Sequence, residues 1–181
     1  MPQYDCIGHH AIPLDDTNVN DYNVSLNKDN IKLIHFRCHN QIHERFGYER
    51  PRKVYIVYGS PCSGKTTWVN DNAGIDDLII DMDKIWECIS TCDKYNKPNR
   101  LKSNVFGVRD LLIEQVKLRV GKWKTAFIIG GYPLATDRER LRNLVGAELI
   151  YIDTDKETCL SRCVTEEWKE FVNEWWEDYQ P

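Results

Sequence analysis

The stretch Gly59-Ser60-Pro61-Cys62-Ser63-Gly64-Lys65-Thr66 constrains this chain more than any other, because the apolar run Val54 to Tyr58 precedes it and Thr67-Trp68-Val69 follows. The order reads as strand, glycine-bounded loop, helix, with the spacing G-x-x-x-x-G-K-[ST]. Glycines let the backbone wrap a polyphosphate and turn several N–H groups inward, toward an anion that a helix N-terminus already favours. On this reading Gly59 to Thr67 form a nucleotide-binding loop. Lys65 reaches the β/γ-phosphates and the Thr66 hydroxyl holds Mg²⁺, so ATP (or GTP) and Mg²⁺ are the expected cofactors.

With 181 residues, 41% of them hydrophobic, the chain has the material for one ordinary domain plus a small appendage. No apolar run has the length of a membrane span, and Met1-Pro2-Gln3-Tyr4-Asp5 has neither the basic start nor the apolar core of a signal peptide. The expected setting is cytoplasmic, with no membrane partner. Seven cysteines, without a C-x-x-C, argue for reduced thiols rather than a disulfide framework. A net charge of −4 gives no global attraction to nucleic acid, which leaves such binding to local patches.

All five histidines fall before residue 44. His39 and His43 are spaced i, i+4, so on a helix both imidazoles leave one face and can share a metal. His9 can add a third ligand from a strand. His10, the next residue of an extended segment, points the other way and is available as a general base for water.

These residues, His9-His10 with Pro13, then Asp29-Asn30-Ile31, then Cys38-His39-Asn40 and His43, resemble the HNH (ββα-metal) nucleases over most of the first fifty positions. The resemblance implies His9, His39 and His43 as ligands of a divalent ion (Zn²⁺, Mg²⁺ or Mn²⁺). It also implies His10 as the base, Asn30 as the residue that braces the hairpin and orients His10, and hydrolysis of a DNA phosphodiester. Many such nucleases carry two C-x-x-C pairs for a structural zinc. Here the second reads His35-Phe36-Arg37-Cys38 and the first is absent, so no structural zinc is expected. The polar, Gly- and Pro-broken run Glu44 to Lys53 reads as a short connector, which divides the chain into a module over 1–50 and a second over 51–181.

From Val54 the pattern alternates strand and helix, as in an α/β parallel sheet with helices on both faces. Expected strands are Val54 to Tyr58, Leu78 to Ile80, Ala126 to Ile129 and Leu149 to Ile152. Expected helices run over Thr66 to Ala73, over Lys84 to Thr91, along Val108-Leu112-Val116-Val120 to a stop at Gly121, and from capping boxes at Thr136-x-x-Glu139 and Thr154-x-x-Glu157. A last helix carries Trp168, Phe171, Val172, Trp175, Trp176 and Tyr179 at helical spacing. Base stacking is one reading of that stripe; a docking face packed on the core is the one adopted.

Chemistry in such sheets belongs at the carboxyl ends of the strands, where Asp81 and Asp83 follow the second one. One carboxylate beside Mg·ATP can accept a proton from an attacking hydroxyl while the other holds the metal's water shell. The two segments together resemble the P-loop kinases of nucleoside monophosphates and of polynucleotide 5′-hydroxyl ends. The polynucleotide kinases have loops of the form G-x-P-x-S-G-K-[ST]-T-W, which Gly59 to Trp68 fits throughout. The resemblance implies Asp83 as general base, Asp81 on Mg²⁺, and Arg162 as the arginine that closes on the transferring phosphate, with Arg138, Arg140 and Arg142 in reserve. Trp86 stands where those kinases place an arginine, and Gly131-Tyr132-Pro133 resembles the adenylate-type kinases instead. The expected function is transfer of phosphate from ATP to a DNA or RNA 5′-hydroxyl end, joined to a nuclease-like module. Fusions of that kind resemble those of bacteriophages, in which case the host cytoplasm is the setting. Three alternatives remain open: a nucleoside monophosphate kinase, a nuclease whose ATP site only regulates it, and a nucleic-acid-binding protein in which both sites are relics.

Overall fold

Short polar segments rich in Asp and Asn fold the first part of the chain around two strands, β1 (Cys6–His10) and β2 (Ile31–His35). They pair antiparallel with Cys6 opposite His35 and His10 opposite Ile31. Between them lie α1 (Tyr22–Ser25), capped by Asp21, and a 3₁₀ turn over Lys28–Asn30, capped by Asn27. The helix α2 (Phe36–Ile42) follows β2 directly, with the His35 ring accepting from the Arg37 N–H at its start. His35 thus serves as a helix cap, at the position where the sequence shows one cysteine of a C-x-x-C pair replaced. The computed structural model describes residues 5–43, 52–91 and 97–181. The chain divides into two compact units, Met1–Glu49 and Arg50–Pro181; the expected boundary after residue 50 and most of the connector lie outside the described residues.

The second unit is an α/β fold built on a four-stranded parallel sheet in the order β4-β5-β3-β6. Its strands are β3 (Lys53–Tyr58), β4 (Leu78–Asp81), β5 (Thr125–Gly130) and β6 (Glu148–Tyr151). Alternation decides the packing: Val54 and Ile56 of β3 face one way with Ala126 and Ile128 of β5, while Val57 faces the other way with Phe127 and Ile129. The first face is covered by α4 (Met82–Ile89), α5 (Lys102–Leu118) and α6 (Ala135–Val145) through Ile85, Trp86, Val105, Val116 and Val145; the second by α3 (Lys65–Asn72) through Val69. The chain continues as α7 (Lys156–Ser161) and α8 (Glu166–Asp178). No helix of the described residues is long and apolar enough to cross a membrane.

Several local expectations shift. The second helix begins at Met82 rather than Lys84, because Asp81 caps it by accepting from the Asp83 N–H. The long helix ends at Arg119, which takes the left-handed conformation at φ 58°, two residues before Gly121. Arg119 is tolerated there because its guanidinium is buried and donates to the carbonyls of Val116 and Val145. Thr136 lies inside α6, which starts at Ala135 without a side-chain cap. At α7 the cap is Asp155, accepting from the Thr158 N–H, and Thr154 is released for another bond. The final stripe divides: Val172 and Trp175 are buried, and the Trp175 indole donates to the Gly131 carbonyl, whereas Phe171 remains 44% exposed.

Candidate active site

The carboxyl ends of all four strands open into one cleft of about 1150 Å³. That exceeds the roughly 300–1,000 Å³ of a single small-molecule site, so there is room for two reactants. β3 delivers the loop from Gly59 to Gly64. Gly59 is held at φ 151°, and a Cβ there would sit 2.9 Å from the Ile152 carbonyl oxygen, so no side chain fits. Gly64 caps α3 in the left-handed region, and the first amides of that helix have no intrahelical acceptor. The Lys65 ammonium curls back onto the Gly59 and Ser60 carbonyls at 3.0 and 2.6 Å. Burial pushes it down to about 8 from the ordinary lysine value, against the opposing pull of nearby Cys159, Cys62, Asp83 and Asp81. The Ser63 hydroxyl is buried in the same loop with no hydrogen-bond partner among the described residues. Thr67, Pro61 and Cys62 line the cleft beside it.

Thr66 and Asp81 are brought together although fifteen positions separate them: the Thr66 hydroxyl donates to Asp81 Oδ2 at 3.1 Å. Asp81 is 5% exposed, and its other oxygen caps α4. One carboxylate therefore fixes both the start of the helix and the partner of the loop. Asp83 sits two residues further on, half-exposed, in the first turn of α4. It is engaged: Lys97 Nζ lies 2.5 Å from its Oδ1.

On the β6 side, the Thr154 hydroxyl donates to the Ser63 carbonyl at 2.9 Å, and Arg162, at the end of α7, donates to the Cys62 carbonyl at 3.4 Å. Arg162 lines the cleft. The reserve arginines do not. Arg138 is buried and bonded to the carbonyls of Tyr132, Pro133 and Gln180, while Arg140 and Arg142 pair with Asp137 and Glu139 on the outer face of α6. Sequence reasoning missed Thr154, Lys97, Asn99, Lys102 and the cleft-lining side of Trp168 and Phe171. Only the last pair left a signal, the aromatic stripe, whose adopted reading is packing with base stacking as the other.

In the first unit, one ring nitrogen from each of His9, His39 and His43 lies within 4.8 Å of the others. His9 Nδ1 and His43 Nε2 are 3.2 Å apart, near the roughly 3.3 Å edge of a tetrahedron with metal–nitrogen bonds of about 2.0–2.1 Å. His10 projects from the opposite side of β1, and its Nε2 is 3.0 Å from the Ser25 carbonyl. A carbonyl only accepts, so Nε2 is the donor in this bond, and in the neutral ring Nδ1 is then the nitrogen with the lone pair. Asn30 bonds the neighbouring loop and turn rather than the His10 ring. Its amide is spent on the Ile12 N–H and on the Ile12 and Val24 carbonyls, which ties the loop after β1 to the turn before β2.

The sequence matches no protein-family model and no curated protein. Among solved structures the fold is similar to the shikimate kinase of Acinetobacter baumannii in complex with shikimate, at 17% identity over 70% of this chain and 75% of that one, with a TM-score of 0.46. It is also similar to APE1195, at 19% identity over 68% and 72%, with a TM-score of 0.41. At this distance neither likeness says what the chain acts on.

Proposed function

We propose that the second unit is a Mg²⁺-dependent phosphotransferase that moves the γ-phosphate of ATP to a hydroxyl, and that the acceptor is a nucleic-acid 5′ end. The observation that carries this reading is the 3.1 Å bond between Thr66 and Asp81 at the mouth of the glycine-bounded loop: a hydroxyl and a buried carboxylate, both hard oxygen donors, beside a lysine. That donor set fits Mg²⁺, which favours oxygen ligands and retained waters. The ion, when bound between Thr66 and Asp81, would neutralise charge on the β- and γ-phosphates. Loop amides and Lys65 bind the phosphates, and the Ser63 hydroxyl supplies one more polar contact. Asp83 takes the proton of the attacking hydroxyl, while Arg162 stabilises negative charge on the transferring group. A nucleoside monophosphate is the alternative acceptor.

Incubation with γ-labelled ATP, Mg²⁺ and a panel of 5′-hydroxyl oligonucleotides and nucleoside monophosphates tests the reading. Asp83→Asn should lower transfer by about 10²–10⁴-fold with ATP binding little changed. Absence of label on every acceptor, or an unchanged rate in Asp83→Asn, rejects it.

A second reading concerns the first unit, where three converging imidazoles favour metal-dependent phosphodiester hydrolysis of the HNH type. Three nitrogen donors suit Zn²⁺ or a similar transition ion better than Mg²⁺. A bound ion there would polarise a phosphate oxygen and stabilise the leaving oxygen; His10 Nδ1 would take the proton of water. His10→Ala should abolish nicking of DNA while retaining the metal. Equal nicking by that variant rejects the role.

A further inference from the structure

Two thiols from distant parts of the chain meet at the glycine-bounded loop. Cys62 Sγ and Cys163 Sγ lie 3.6 Å apart although 101 positions separate them in sequence. Cys62 stands within the loop and Cys163 directly follows Arg162 at the end of α7; both are free and half-buried. The segments that carry them are already fastened together. Arg162 donates to the Cys62 carbonyl at 3.4 Å and Thr154 to the Ser63 carbonyl at 2.9 Å, on either side of the sulfur pair. Cys163 Sγ also lies 3.2 Å from the Cys159 carbonyl oxygen, which limits its rotation. Cys159 itself is fully buried, with its sulfur 3.6 Å from the Thr154 carbonyl, and is a packing residue.

The backbone at Cys62 takes the left-handed conformation at φ 62°. Glycine is at ease there and a residue with a Cβ is not, so the turn alone does not account for a thiol at this position. Burial, and then Cys163 itself, push the Cys62 thiol up to about 11. Cys62 is therefore protonated and slow to attack an oxidant first. The part of that push due to Cys163 disappears once Cys163 is bonded to another sulfur, while Lys65 pulls Cys62 down. The order of events follows: Cys163 reacts first and Cys62 second.

We propose that Cys62 and Cys163 form a reversible disulfide that locks the loop, made by exchange with a small-molecule disulfide, RSSR. The Cys163 thiolate attacks one sulfur of RSSR, forming Cys163–S–S–R and releasing RS⁻. The Cys62 thiolate then attacks Cys163 Sγ, forming the Cys62–Cys163 bond and releasing the second RS⁻. Two protein thiols are oxidised, RSSR is reduced to two RSH, and the two thiol protons end on those products. A disulfide bond is about 2.05 Å long, so the sulfurs close by about 1.5 Å from their present 3.6 Å. That draws the loop toward α7 and holds Arg162 on the Cys62 carbonyl, where it cannot turn to a phosphate. A transient bond of this kind is compatible with a reducing compartment, in which a structural one is not. The loss of nucleotide binding rests on the phosphotransferase reading above; the bridge does not.

The test uses the full chain with glutathione disulfide as the probe. Trypsin separates the three cysteines, leaving Cys62 in the peptide from Val54 to Lys65, Cys159 in that from Glu157 to Arg162, and Cys163 in that from Cys163 to Lys169. After oxidation and alkylation of the remaining thiols, mass spectrometry of a non-reducing digest should find the first of these joined to the third. ATP affinity, read by calorimetry, should fall about tenfold or more, the worth of one charge-assisted hydrogen bond, and return with dithiothreitol. Cys163→Ser should bind ATP as the reduced wild type does and keep that affinity in glutathione disulfide. A Cys62–Cys159 link, glutathione adducts with no joined peptide, a bridge that leaves ATP affinity unchanged, or a Cys163→Ser variant that is still inactivated overturns the switch. A reduced wild type that binds no ATP removes the phosphotransferase reading instead; the joined peptide then decides the bridge, and its absence overturns that too.

Discussion

In the second unit the reactive side chains hang on a sheet whose strands bury Ile56, Val57, Ile80 and Ile128 almost completely, whereas the first unit buries only Asn30, His39 and Asn40 among its described residues, and no apolar side chain. Where a core supplies the folding free energy, a site can stand preformed, as Thr66, Asp81 and Thr154 do through bonds within the protein. Where it does not, the groups that converge on a site must do part of the work of folding. A metal ion held by three histidines is a staple of the kind small units use. The first unit is thus expected to depend on its ligand for its shape, and the second only for its activity.

The largest effect that would break this contrast is loss of one unit with survival of the other. His39→Ala combined with His43→Ala, or treatment with a strong chelator, should abolish metal binding by elemental analysis and make the first unit sensitive to limited proteolysis. The thermal transition of the second unit should stay where it was. Stoichiometric metal in the double variant, or equal protection of the first unit without metal, removes the contrast.

A smaller effect sharpens the picture of the second unit. Lys65 is held at about 8 by burial, and a bound polyphosphate favours its charged form, so its value rises in the complex. Nucleotide affinity should then be flat below pH 8 and fall as pH rises above it, by up to tenfold per pH unit until the bound-state value is reached. Calorimetric titrations at pH 7, 8 and 9 read this directly. Lys65→Ala should bind weakly with no such slope across the window, and a wild type without the slope shows that Lys65 does not meet the phosphates.

The smallest expected effect is at Thr154→Val, which keeps the shape but removes the bond to the Ser63 carbonyl. A neutral hydrogen bond of this sort contributes about 0.5–1.5 kcal/mol, so ATP should bind a few-fold more weakly with the fold unchanged. Unaltered binding would mean the loop keeps its shape without help from the β6 side.

The same contrast governs how much could be read from the sequence. The parallel sheet, its four strands and the loop from Gly59 to Thr66 were legible because each is encoded in contiguous residues: apolar runs, two glycines at fixed spacing, a lysine before a hydroxyl. What joins segments distant in the chain was not. Nothing near Thr154 signals that its hydroxyl reaches Ser63, and its place in an apparent capping box pointed elsewhere until Asp155 took the cap. Nothing near Lys97 signals that it lies on Asp83, fourteen residues earlier. The aromatic stripe of α8 was legible as a stripe, but periodicity cannot say that one end packs on Gly131 while the other lines a cleft. In the first unit the spacing of His39 and His43 announced a shared face, yet Asn30 could be linked to His10 only by resemblance; in the fold its amide is used up by Ile12 and Val24.

Asp81 has a consequence for how such a protein changes over generations. As a helix cap it could be exchanged for Asn, Ser or Thr with little loss, since all of them cap well. On the proposed phosphotransferase reading, in which it is the anionic partner of Thr66 beside a nucleotide, it has no such latitude, because Asn keeps the hydrogen-bonding shape but not the charge. A descendant that had abandoned phosphate transfer would be free to drift at this position while folding normally. On that reading Asp81 is where loss of catalysis and loss of structure come apart, and its replacement by Asn in a folded descendant would mark a site kept only as scaffold.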